Sequence, residues 1–401
     1  MIGKENRLIG AILLVSGTTI GAGMLALPAI TGQAGFFPSL CVMTFIWLFM
    51  MLTAFYFLEV NLRMKGESNL ISMVHKTFGK PGEIGSWIVY LLLLYSLTVA
   101  YMLGASQIIR DLIERFCSCE TPDWIWPVVT FFVFAIFVYL GTEVADFFNR
   151  FLMGGLVLTY VAILVFGLHR VDPGMLLHFD WGFLLPSVSV VLTTFGYHII
   201  IPTLTTYLDH DPKLLKKAIL YGSLIPFAIY ILWQVLVMGI VPVTGDNSLS
   251  LAAQKGIEVT HFLKAFLGNP WVGLAVRSFG FFAIVTSLLG VSLSLSDFLA
   301  DGLKIKKTHK GKGILILLTF LPPLFFAIFY PSGYIKALQF AGIFVLLLLA
   351  LLPALMAWVE RYGKETMRKF IPSPFQVPGG KPLLVTTIAI SLIVLGIEVF
   401  S

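Results

Sequence analysis

Charge is scarce in this sequence. Only 12% of its 401 residues are Asp, Glu, Lys or Arg, roughly half the share of a soluble domain. A chain so poor in charge cannot cover a water-facing surface, which excludes an ordinary soluble globule. Cysteine is scarce too. Of the three present, Cys41 lies in an apolar run, while Cys117 and Cys119 flank one serine, too tight for an ordinary bridge. A disulfide-stapled domain is excluded, and no Cys/His cluster has the spacing of a metal site. There is no Gly-x-x-x-x-Gly-Lys-Ser/Thr loop for direct ATP drive and no His-Glu-x-x-His pair. Asp297 and Asp301 come nearest to paired catalytic acids, but they lack histidine partners. No filter-like repeat marks a channel. The sequence therefore predicts no enzyme, no cofactor and no metal. The net charge of +6 sits in short loops, so it predicts no nucleic-acid partner. No small-residue cleavage site follows the first apolar run, so no cleavable signal peptide is expected.

Apolar sequence is abundant instead. Hydrophobic residues make up 58% of the chain, and mean hydropathy is +0.93. Eleven runs are long enough to span a bilayer. They lie at about 8–30, 38–62, 84–113, 124–142, 151–168, 183–207, 217–240, 271–300, 314–329, 334–358 and 383–400. The expectation is an all-α polytopic membrane protein, one transmembrane domain over 1–401. With the N-terminus inside, twenty lysines and arginines fall in cytoplasmic segments, against five outside (Arg110, Arg115, Arg170, Lys255 and Lys264). That bias predicts a cytoplasmic N-terminus and a periplasmic C-terminus. Most tryptophans lie near span ends, as interface anchors do. The loop at about 241–270 has room for a short amphipathic helix between Asn247 and Thr260.

Two spans carry residues that a continuous helix does not favour. In the first, Gly17, Gly21 and Gly23 fall within seven residues, beside Thr18 and Thr19. Each glycine costs roughly 1 kcal/mol against alanine, and the threonines bond nearby backbone. The pattern predicts a helix broken near mid-membrane. Irregular backbone at that depth must border protein or a water-filled cavity. The free peptide groups of such a break bind small charged solutes. Close helix packing through Gly21 and Gly23 is the alternative. In the sixth span Thr193, Thr194, Gly196, His198 and Pro202 interrupt an apolar run. Two breaks five spans apart, with opposite span directions, predict an inverted five-plus-five repeat. The first repeat covers about 7–168 and the second about 183–358, with an extra span at about 383–400.

The stretch Gly17-Thr18-Thr19-Ile20-Gly21-Ala22-Gly23-Met24-Leu25-Ala26-Leu27-Pro28 resembles the first-span signature of the bacterial hydroxy/aromatic amino acid permeases. Phe195-Gly196-Tyr197-His198, followed by Pro202, resembles their sixth-span signature, and Leu295-Ser296-Asp297-Phe298-Leu299-Ala300-Asp301 the end of their eighth span. Thr319-Phe320-Leu321-Pro322-Pro323, Tyr330-Pro331 and Gly379-Gly380-Lys381-Pro382 match later landmarks. The likeness runs from about 7 to 400, and it is greatest to the tyrosine branch, with the tryptophan branch next. It implies the amino acid–polyamine–organocation (LeuT-like) fold, eleven spans, and proton symport of an aromatic amino acid across the inner membrane. Tyrosine is the favoured cargo. Tryptophan or serine/threonine transport, and sodium coupling, are the alternatives. One departure concerns cargo. Where the family usually follows the histidine with glycine, this chain has Ile199-Ile200-Ile201, which stiffens and narrows that half-helix.

A zwitterionic substrate predicts the site. Its carboxylate should meet N–H groups around Gly21, Ala22 and Gly23, and its ammonium the carbonyls near Gly17, Thr18, Thr193 and Thr194. Thr19 and Gly196 lie at the same breaks. Phe195, Tyr197, Tyr101 and Ser287 are candidates for the side-chain pocket. His198 is the one histidine deep in a span; it is a candidate for binding substrate or, with Glu59 and Asp297, for proton coupling. Glu59 has Arg63 four residues on, and Asp146 has Arg150, as plausible ion-pair partners.

Overall fold

In the computed structural model, which describes residues 4–64, 68–117, 121–267, 270–363 and 374–400, every regular element is helical. Cys119 and four of the twenty lysines and arginines assigned to cytoplasmic segments, Lys65, Lys364, Arg368 and Lys369, lie outside the described residues. The α-helices are α1 (Lys4–Thr19), α2 (Gly23–Thr31), α3 (Phe36–Asn61), α4 (Leu70–Cys117), α5 (Ile125–Leu140), α6 (Thr142–Gly167), α7 (Val188–Thr194) and α8 (Ile201–Tyr207). They continue as α9 (Pro212–Met238), α10 (Leu249–Lys255), α11 (Thr260–Phe266), α12 (Pro270–Gly302), α13 (His309–Phe329), α14 (Tyr334–Val345), α15 (Leu352–Tyr362) and α16 (Gly380–Phe400).

Among the described residues nine helical stretches are long and apolar enough to cross a membrane, and the bent pair α1–α2 makes ten. Ile125–Leu140 is a shorter apolar helix. Large apolar side chains stand outward along these helices; Phe151 is 76% and Phe329 71% exposed. Such a surface suits lipid, not water. The loop expected to hold one short helix holds two, α10 and α11. The helix of the third span begins earlier than its apolar run. It starts at Leu70 and bends at Gly79, whose φ of 70° and ψ of −163° precede Pro81.

The packing places both breaks at the centre. α1 runs against α9 so closely that a β-carbon on Gly222 would lie 2.5 Å from Val15 Cβ. Ser16 Oγ donates to the Gly222 carbonyl at 2.9 Å across the same contact. α12 packs on α6 and α4, and α14 on α4 and α7. Between α14 and α15 one π-helical turn, Leu346–Leu351, widens the helix, a distortion frequent at functional sites.

Candidate functional site

α1 ends at Thr19 and α2 begins at Gly23, bent by 56°. α7 ends at Thr194, followed by a 3-10 turn, Tyr197–Ile200, before α8. Both interruptions fall where glycine and threonine replace helix formers. Among the described residues the Gly21 and Gly23 N–H groups make no hydrogen bond within the protein, whereas the Ala22 N–H donates to Ser287 Oγ at 2.9 Å. On the other side of the break, the Gly17 and Thr18 carbonyls accept no backbone bond among the described residues, since the N–H groups one turn on have left the helix.

Two tyrosines hold the breaks. The Tyr230 hydroxyl, on α9, donates to the Thr19 carbonyl at 2.7 Å and lies 3.2 Å from the Thr194 carbonyl. It thereby ties the end of α1 to the end of α7. The Tyr334 hydroxyl, at the start of α14, donates to the Ala22 carbonyl at 3.0 Å. Both tyrosines are fully buried. Sequence reasoning missed them, because a single tyrosine in an apolar run has no local signature.

A cavity of about 380 Å³ opens at the two breaks. It brings together Gly17, Thr18, Thr19, Gly21, Gly23, Tyr101, Thr194, Gly196 and Ser287 of the expected residues. Leu93, Leu97, Met153, Val345 and Leu349 give it an apolar wall, and Tyr90, Asn149, Thr286 and Ser294 add polar groups that the sequence reading did not name. Of the three isoleucines at 199–201, Ile199 lines it, while Ile200 and Ile201 do not. No lining side chain carries a charge, so the backbone dipoles of the breaks are its strongest fixed polarity.

Four expected residues stand elsewhere. Ala22 does not line the cavity; its peptide is clasped by Ser287 and Tyr334. Phe195, Tyr197 and His198 also lie outside the lining. The 3-10 turn over Tyr197–Ile200, with three residues per turn, presents Ile199 to the cavity and Tyr197 and His198 elsewhere, and Phe195 precedes it. Phe195 packs edge-on to Tyr230 with ring centroids 5.5 Å apart. His198 is fully buried, with Nε2 2.9 Å from Thr53 Oγ1 and its ring edge-on to Phe57.

The two acids expected beside His198 are engaged. Glu59 is fully buried and meets more than Arg63. Arg361 donates to it through Nε at 2.8 Å and through Nη2, and the Val377 N–H donates at 2.9 Å, beside Arg63 at 3.2 Å. Asp297 is half exposed and pairs with Lys307 at 2.8 Å. The expected Asp146–Arg150 pair forms at 2.7 Å on the surface.

The tryptophan/tyrosine permease family profile matches residues 4–398. The chain belongs to this family. A tyrosine-specific transport system of Haemophilus influenzae is 31% identical over 398 residues, covering 98% of this chain and 96% of the relative. A tryptophan-specific transport protein of Pseudomonas aeruginosa is 28% identical over 388 residues, covering 95% and 92%. A glutamine transporter of Aliivibrio fischeri is 27% identical over 402 residues, covering 97% and 98%. This permease is thus a multi-pass membrane transport protein, not an enzyme.

Proposed function

We propose that this permease is a secondary active transporter that imports an aromatic amino acid, tyrosine before tryptophan, with a proton across a bacterial inner membrane. The observation that carries the reading is an uncharged cavity at which both helix breaks meet. The free Gly21 and Gly23 N–H groups receive the carboxylate, at the positive start of α2. The Gly17 and Thr18 carbonyls, with Thr193 and Thr194, receive the ammonium. The ring lies along Leu93, Leu97 and Met153. Asn149, whose side-chain oxygen has no partner among the described residues, is the acceptor for a ring hydroxyl.

The proposed frame is eleven spans in an inverted five-plus-five repeat, α5 being one span. The N-terminus is cytoplasmic and the C-terminus periplasmic. In that frame the cavity reaches from the breaks toward the cytoplasm, because Tyr90, Asn149 and Ser294 lie toward the cation-rich ends of their helices. His198 is the coupling residue of choice, since it adjoins a break while Glu59 and Asp297 are held by cations. One charge crossing 100 mV supplies about 2.3 kcal/mol, or roughly forty-fold accumulation.

Uptake of radiolabelled tyrosine, tryptophan and phenylalanine into proteoliposomes tests this, with proton and sodium gradients imposed separately. Tyrosine accumulation under the proton gradient alone is expected. Accumulation only with sodium removes the coupling, and a preference for another amino acid removes the cargo.

A further inference from the structure

The segment between α9 and α12 holds a carboxylate that the transport reading leaves unused. Glu258, between α10 and α11, is 6% exposed. It accepts from the Thr260 N–H at 2.7 Å and from the Thr260 hydroxyl. Among the described residues no lysine or arginine pairs with it. The charged groups around it are His261 on α11 and Asp111 on α4. Asp111 is itself 3.0 Å from His261 and 3.8 Å from Lys264. α14 presents Tyr334 within electrostatic reach, and α12 presents the uncharged Gly280.

Three close approaches seat this segment. Gly256 has a left-handed φ of 62°, and a β-carbon there would fall 2.0 Å from the Ser332 carbonyl, two residues before α14. A β-carbon on Gly280 would fall 2.7 Å from Thr260 Oγ1 and 3.5 Å from Glu258 Oε1. One on Gly32, after α2, would fall 2.4 Å from Leu249 Cδ1. The segment therefore abuts α14, α12 and the end of α2. The same three helices hold the first break. α12 takes the Ala22 N–H through Ser287, which lies seven residues, about two turns, beyond Gly280 on the same face. α14 donates to the Ala22 carbonyl through Tyr334, and α2 starts at the next residue.

We propose that Glu258 is a positioning residue of the substrate site, and that residues 249–267 form a latch over the α2 side of the breaks, closed while Glu258 is neutral and released when it ionises. Burial raises the proton affinity of Glu258 above the ordinary carboxylate range, against the opposing pull of Thr260 and His261. Lifted into water, the carboxyl returns to that range. Protonation thus favours the closed latch. Between the two values, rising pH weakens the closure by up to tenfold for each unit that separates them. The proton exchanges with the side of the membrane on which the latch lies. That this side is periplasmic rests on the orientation proposed above.

Hydrogen exchange of the purified full-length protein, read by mass spectrometry at pH 5.5 and 8 with labelling times scaled for intrinsic rate, tests the latch without any substrate. In the wild type, peptides from 249–267 should lose protection at the higher pH, while peptides from α3 should not. In Glu258→Gln, which keeps the acceptor oxygen and stays neutral, protection should be equal at both values. Equal pH sensitivity in Glu258→Gln and wild type, or none in the wild type, overturns the proposal. Glu258→Asp, which keeps the titration on a shorter arm, should restore the pH dependence, and its failure to do so counts against the proposal too. Tyrosine uptake plays no part in this readout, so a failed latch and a failed transport reading stay distinguishable.

Discussion

Replacing Tyr230 by phenylalanine removes one oxygen and leaves the ring contact with Phe195 in place. The lost hydroxyl donates to the Thr19 carbonyl at 2.7 Å and approaches the Thr194 carbonyl at 3.2 Å. Both carbonyls end helices, so neither has a next-turn N–H to turn to. Tyr230 is fully buried, so water does not readily replace it. Leaving a buried acceptor unpaired costs about 1–3 kcal/mol, which is roughly 5- to 150-fold in the population of the joined arrangement. If the joined breaks are the binding-competent form, the apparent affinity for substrate falls by that factor. The assay is initial uptake rate against substrate concentration in proteoliposomes. Tyr95→Phe is the control: it removes a hydroxyl that donates to the Leu318 carbonyl at 2.7 Å, outside the cavity lining. Tyr95→Phe should change stability without changing KM. Kinetic constants of Tyr230→Phe within twofold of the wild type would refute the idea that this hydroxyl joins the breaks.

Other perturbations reach different parts of the account. Arg361→Ala takes the closer of two guanidinium partners from the fully buried Glu59 carboxylate and leaves Arg63 at 3.2 Å, so the loss should stay below the roughly 3–5 kcal/mol of a fully broken buried pair; a melting curve in detergent should fall, and Glu59→Gln added to it should recover part of the loss. Asn149→Leu removes the one side-chain acceptor assigned to a ring hydroxyl, so competition uptake should shift from tyrosine toward phenylalanine by roughly 5- to 10-fold; an unchanged ratio clears Asn149 of that role. His198→Ala should uncouple uptake from the proton gradient, and a variant that keeps both affinity and proton dependence ends the assignment.

The breaks were legible because they are local. Glycines and threonines in the first span, and Gly196 and Pro202 in the sixth, contradict helix propensity within a few residues, and both helices do stop there. What fastens the breaks was not legible. Tyr230 and Thr19 lie 211 residues apart, Tyr334 and Ala22 312 apart, and Arg361 and Glu59 302 apart. No periodicity connects such pairs. For Glu59 the sequence offers the i,i+4 partner Arg63, which the structure keeps at 3.2 Å, but the closer guanidinium is Arg361. Phe195, Tyr197 and His198 lie outside the cavity lining for a conformational reason. Membership of a broken stretch does not say which way a side chain turns; here the 3-10 turn presents Ile199 to the cavity and Tyr197 and His198 elsewhere, while Phe195, before the turn, packs on Tyr230.

The central claim is that the exposed peptide groups of the first break hold the amino acid. A β-carbon on Gly21 would lie 2.8 Å from Ser287 Oγ, so a leucine there must intrude on the cavity and its clasp. Equilibrium binding of radiolabelled tyrosine to purified wild type and Gly21→Leu measures this directly. Saturable binding by the wild type, lost in a variant that still inserts and purifies as a folded protein, is the predicted result. Equal binding by both would contradict the account.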